Sequence, residues 1–102
     1  MKTAEMKAAA LPHLVVHRSG KAFKVLQVTG LPGMSMPEHF CTKEAVLVIQ
    51  RGAAVLHMKG KEYPLKQHDS FIIPEGEKHT LSILEDFQSN VIMELAGEIK
   101  FA

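Results

Sequence analysis

Short runs in which apolar and polar residues alternate, each closed by glycine or proline, fill the chain from His13 onward. The pattern is clearest after Gly76, where His79, Leu81 and Ile83 share one face of an extended segment and Thr80 and Ser82 share the other. The face carrying His79 is predicted to point inward. His13–Arg18 and Ala22–Thr29 read as strands joined by a turn at Ser19, Gly20 and Lys21, and a loop from Gly30 to Gly33 leads into a short strand, Pro37–Thr42. Ala45–Gln50, Ala54–Lys59 and Glu62–Lys66 follow, turned at Arg51-Gly52 and at Gly60-Lys61. Phe71–Ile73 stops at Pro74, which has no N–H for a ladder, and Lys78–Leu84 and Val91–Leu95 complete the strands.

No segment after residue 12 is long enough for an uninterrupted amphipathic helix, so the expected class is all-β. Residues 1–12, rich in Ala, Met, Lys and Glu, are expected to form an N-terminal arm or short helix, and residues 13–102 a single domain. In Ala45–Gln50 both faces are apolar, Leu47 and Ile49 on one and Val46 and Val48 on the other. A strand covered on both sides is one packed against a second sheet or a second subunit, so a homodimer is expected.

Composition narrows the function classes. A chain of 102 residues has room for one core and not for a substrate domain beside a cofactor domain. With 46% apolar and 23% charged residues it has the make-up of a globular protein and not of a disordered one. Its 12 Lys+Arg against 11 Asp+Glu leave a formal charge of +1, too little to concentrate phosphate polymers, so nucleic acid is not an expected partner. No window approaches the roughly 20 apolar residues of a membrane helix, and the run Ala8–Leu11 is shorter than the apolar core of a secretion signal. The single Cys41 excludes an internal disulfide and suits a reducing compartment, so the expected location is cytoplasmic.

Candidate chemistry is confined to a few donors. His39 and Cys41, one residue apart on a predicted strand, point the same way, and His79 opens an inward face on a distant strand. Together they make a candidate metal site, His39, Cys41 and His79. Imidazole and thiolate suit Zn, Fe, Cu or Ni; Mn is less well matched, and Mg and Ca prefer oxygen.

Two spaced signatures carry a resemblance. Gly33, five residues, His39, Phe40, Cys41 and then Gly52 resemble the first motif of the cupin superfamily, G(X)5HXH(X)3,4E(X)6G. Pro74, Gly76 and His79 resemble the second, G(X)5PXG(X)2H(X)3N. The resemblance implies a double-stranded β-helix, a jelly-roll barrel with an internal site, in which a metal is held by the histidines and glutamate of the first motif and the histidine of the second. Here Cys41 stands where the second histidine of the first motif would be and Ala45 where the carboxylate would be. Glu44, next door, is turned to the opposite face by alternation. His68 stands at a glycine of the second motif and Ile83 at its asparagine.

Each residue also has a plain structural explanation: His39 and His79 as buried, hydrogen-bonded histidines, and Cys41 as a small buried apolar group. His13, His17 and His57 read as surface residues and His68 as part of a turn. Gly33, Gly52, Pro74 and Gly76 read as corner residues of the barrel. An apolar ligand pocket is expected from Met36, Ala45, Leu47, Leu56, Met58, Leu81 and Ile83. The sequence therefore points to a small single-domain cupin that binds a divalent transition metal, a small organic ligand or both inside the barrel, with no reaction assigned. The competing expectation is a non-catalytic ligand-binding or sensing module whose metal site has decayed, favoured by Ala45 and Ile83.

Overall fold

The computed structural model describes residues 11–102; the expected arm or helix over residues 1–12 lies, but for Leu11 and Pro12, outside them. Ten strands follow one another: β1 (His13–Ser19), β2 (Phe23–Gly30), β3 (Ser35–Cys41), β4 (Ala45–Arg51), β5 (Ala53–Met58), β6 (Lys61–Lys66), β7 (Ser70–Ile73), β8 (His79–Ile83), β9 (Phe87–Glu94) and β10 (Ile99–Phe101). They form two antiparallel five-stranded sheets, β1-β2-β9-β4-β7 and β10-β3-β8-β5-β6. This is an all-β jelly-roll barrel, a double-stranded β-helix. No helix among the described residues is long and apolar enough to cross a membrane.

The period of two decides what fills the barrel. Leu26 and Val28 of β2, Leu47 and Ile49 of β4, Leu56 of β5, Leu81 and Ile83 of β8, and Phe87, Val91 and Met93 of β9 all point inward and are buried. The two inner faces close on one core. Two expectations fall short of the structure. The last long strand begins at Phe87 rather than Val91, because Gln88, Ser89 and Asn90 hide the alternation behind three polar residues. β10 spans only three residues, too few to show a period, yet it caps the edge of β3 through Ile99, Lys100 and Phe101.

Corners are set by backbone conformation. Gly33, Gly52 and Gly76 all take positive φ, as corner residues must. At Gly52, with φ +82°, an added Cβ would run into the backbone carbonyl of Asp86 at the β8–β9 connection, so only glycine fits. His68 occupies the motif position of a glycine and takes the matching conformation, with φ +79°. Its N–H donates to the Ile49 carbonyl at 2.9 Å, which holds the β6–β7 turn against β4.

A left-handed conformation costs a residue with Cβ about 1–2 kcal/mol, whereas glycine's extra unfolded-state entropy costs about 0.5–1 kcal/mol. His68 is exposed, so its side chain contributes little to set against this. Replacing it by glycine, His68→Gly, is therefore expected to raise stability by about 0.5 kcal/mol in urea unfolding, with an unchanged slope. A loss of stability would mean that the His68 side chain holds the turn.

Candidate functional site

β3 and β8 lie side by side in the second sheet and bring the two sequence signatures together. Met36 is paired with Leu81 and His39 with His79, with a register shift between them. Two residues of β3, Pro37 and Glu38, thus oppose one of β8, a β-bulge. Strict alternation would put Met36 and His39 on opposite faces; the bulge turns both inward. Cys41 follows two residues later on the same face. The turn of the second motif is tied back to this strand, since the Gly76 N–H donates to the Cys41 carbonyl at 2.8 Å.

The two imidazoles meet edge to face, with ring centroids 4.1 Å apart and planes at 66°. His39 is 4% exposed and His79 3%. Each ring is held by a backbone carbonyl two residues earlier: His39 Nδ1 lies 2.6 Å from the Pro37 oxygen and His79 Nδ1 2.9 Å from that of Glu77. A carbonyl only accepts, so both Nδ1 atoms carry the proton and both Nε2 atoms keep a free lone pair. This is the arrangement of metal-ligating histidines, whose second nitrogen is anchored by a backbone or carboxylate oxygen.

Electrostatics keep the pair neutral. Burial lowers the His39 pKa from 6.5 to about 4; the bond to the Pro37 carbonyl opposes this and a charge on His79 would add to it. Burial likewise lowers His79, against the Glu77 carbonyl bond and the Glu77 carboxylate, itself ion-paired with Lys59 at 3.3 Å. The buried Cys41 thiol is pushed up to about 11 by desolvation, so it is protonated at neutral pH. It is an unactivated thiol.

A chamber of about 30 Å³ opens beside the rings. Its walls include His39, His79, Cys41, Met36, Leu47, Leu56 and Leu81 from the expected set. Ala45, Ile83 and Met58, the last of them the cross-strand partner of His79, are buried without lining it, and Val28, Ile73, Ser89, Val91 and Ile99 complete the lining. Ser89 is the residue that sequence reasoning passed over. It is fully buried, and its Oγ has no hydrogen-bond partner among the described residues. Its signal was a hydroxyl on the otherwise apolar inward face Phe87-Ser89-Val91-Met93 of β9.

The donors fit a borderline transition ion in part. Two neutral Nε2 atoms and an unpartnered hydroxyl suit Zn, Fe, Cu or Ni and offer nothing to Mg or Ca. Among the described residues, however, no group of three or more His, Cys, Asp or Glu side chains is disposed to hold a metal ion. Glu44 is exposed, as alternation requires, and His57 lies on the outer face, 3.3 Å from Ser82 Oγ.

The barrel has many structural relatives. It is similar to a conserved protein with a double-stranded β-helix domain from Klebsiella pneumoniae, with TM-score 0.75 and 18% identity over 90% of this chain and 86% of that one. It is similar to a cupin superfamily protein from Desulfitobacterium hafniense, with TM-score 0.73 and 16% identity over 81% and 76%. It also resembles part of a salicylate 1,2-dioxygenase from Pseudaminobacter salicylatoxidans, with TM-score 0.68 and 16% identity over 78% of this chain and 25% of the enzyme. No curated protein sequence matches. The sequence profile of the cupin domain matches residues 26–93, which include both signatures, β3, β8 and every histidine and cysteine of the chamber. The chain belongs to the cupin superfamily.

Proposed function

We propose that this protein is a small cupin that holds a transition metal on the Nε2 atoms of His39 and His79, with Ser89 and the Cys41 sulfur beside it. The observation that carries the reading is the pair of neutral imidazoles sharing one chamber, each with its Nδ1 proton already committed to a backbone carbonyl. A bound ion would supply Lewis acidity and open coordination positions. The chain's own residues do the rest: the two carbonyls fix the rings, the aliphatic walls exclude bulk water, and Ser89 offers a hydrogen bond to whatever completes the coordination.

The chamber takes an ion with a water or two and no more. A small organic ligand would sit next to it, in an apolar groove of about 500 Å³ walled by Leu11, Pro12, Leu14, Met36, Pro37 and Phe101. Met36 lines both spaces, and the Phe101 ring lies 5.6 Å from that of His39. A volume of this size suits a small molecule. No acidic side chain is among the residues that line chamber and groove, so no general base and no reaction are assigned.

A second reading, a non-catalytic ligand-binding or sensing module with a decayed metal site, is favoured by Ala45 at the carboxylate position and by the lack, among the described residues, of a third converging His, Cys, Asp or Glu. Elemental analysis separates the two. Protein from medium supplemented with Zn²⁺, Fe²⁺ or Cu²⁺ is expected to carry a substantial fraction of one metal atom per chain, and His79→Ala to lose it. Metal-free protein whose thermal unfolding is unmoved by all three ions would leave the module reading in place.

Ser89→Ala gives an independent check. If the hydroxyl serves a bound ion or its water, removing it is expected to weaken metal affinity by roughly tenfold, the scale of outer-shell losses. If it merely lacks a partner, the alanine variant gains about 1 kcal/mol of stability and binds metal unchanged.

The neutral histidines also make the metal-free protein sensitive to acid. His39 has a lower pKa folded, about 4, than its ordinary 6.5, so between these values the unfolded chain binds more protons and stability rises with pH. The full contribution is present above pH 6.5 and is lost as pH falls towards 4. The size is about 3 kcal/mol for His39, and His79 acts in the same direction. Urea unfolding at a series of pH values is expected to show this decline, with a much flatter curve in His39→Gln.

A further inference from the structure

Both imidazoles and the Cys41 thiol are buried. An ion or a small molecule therefore reaches them only after part of the chamber wall moves. Most of the strands that supply the wall, β2, β3, β4, β5, β8 and β9, are hydrogen-bonded along both edges. The other two, β7 and β10, are edge strands. β7 fixes Ile73 in the core, 3% exposed, and pairs four residues with β4. β10 pairs three residues with β3; Ile99 is partly buried, and Lys100 and Phe101 are exposed. With one neighbour, the shortest ladder and no fully buried side chain, β10 is the part of the wall that detaches at the lowest cost.

We propose that β10 is the gate of the chamber, peeling from β3 to open the wall and re-forming to close it. Its cross-strand partners are the residues an opening must uncover, since Phe101 faces His39 and Ile99 faces Cys41. Ile99 is itself part of the wall, and the Phe101 ring lies 5.6 Å from that of His39. Detachment thus bares the His39 side of the chamber and joins it to the groove of about 500 Å³ that Phe101 borders.

The surroundings of β10 leave it room to move. Besides that groove, a second one of about 330 Å³ runs along Glu98 and Ile99, with Leu14, Val16 and Leu26 among its other walls. β1 and β10 are the facing edges of the two sheets and form no ladder with each other. The root of β10 is pinned: the Glu98 N–H donates to Thr42 Oγ1 and the Thr42 N–H to the Glu98 carbonyl, both at 2.9 Å. At the far end the Ala102 N–H donates to the carbonyl of Glu38, in the bulge, at 3.0 Å. The double clasp makes Glu98 the pivot, so the largest displacement falls on Phe101.

Cys41 reports the opening, because it is the single cysteine of the chain and lines the chamber. Its labelling by methyl methanethiosulfonate is followed by mass spectrometry, in EDTA and at urea concentrations below the unfolding transition. Peeling three residues exposes little surface, so the rate is expected to stay nearly constant with urea; labelling through global unfolding would climb with the full unfolding slope. Phe101→Ala, which removes a half-buried ring, is expected to raise the constant rate roughly tenfold. Val46→Ala, at a partly buried position of β4, is expected to lower global stability and leave that rate unchanged. A rate that climbs with the full slope overturns the proposal. So does a constant rate that Phe101→Ala does not raise, which would put the opening elsewhere. The gate needs no ion in the chamber, so labelling decides it independently of the metal content that tests the proposed function.

Discussion

The register of β3 against β8 is the constraint on which the site depends. Side chains on a strand alternate, so a slip of one residue would send every inward group of β3 to the outside. The bulge at Pro37 and Glu38 settles the matter locally, keeping Met36 inward on one side of it and His39 and Cys41 inward on the other. Proline suits such a place because its missing N–H asks nothing of the interrupted ladder. The Pro37 carbonyl then takes the His39 Nδ1 proton. One irregularity aims the ring, fixes its tautomer and places it against His79.

The electrostatic consequence follows from what surrounds those rings. A carboxylate at position 45 would have raised both histidine pKa values and offset the charge of a bound cation; Ala45, 1% exposed, does neither. Any cation in the chamber therefore depends on neutral donors, and its desolvation is opposed by coordination alone. Cys41 adds no charge there, because burial holds its thiol protonated. The same burial that costs the thiol its reactivity keeps the imidazole lone pairs free at neutral pH.

Much of the scaffold was legible in the sequence, because strands with one buried face advertise themselves by period. His79, Leu81 and Ile83 are such a case, and the glycines at 33, 52 and 76 named the corners through the conformations they permit. The likeness of the signatures to cupin motifs supplied a shared internal site, but the pairing of β3 with β8 in one sheet came only with the structure, since cross-strand partners are far apart in the chain. The pocket was less legible. Ala45, Met58 and Ile83 point inward as alternation says, but whether an inward residue borders a particular void depends on how its neighbours pack, for Met58 is paired with His79 and still does not line the chamber. β10 left no period to read, although its Phe101 ring borders His39.

Two departures from the rule of apolar inside and polar outside organise the molecule's chemistry. A soluble domain exposes scattered apolar side chains without consequence; the informative cases are a polar group that is buried and an apolar set that is contiguous. Ser89 is the first, a hydroxyl turned into the barrel where a valine would fill the space at no cost in desolvation. The row Val25, Ile92, Val46 and Ile72 is the second, on the outer face of the same sheet. Both belong to one sheet, Ser89 on the inner face of β9 and the row on the outer face of β2, β9, β4 and β7.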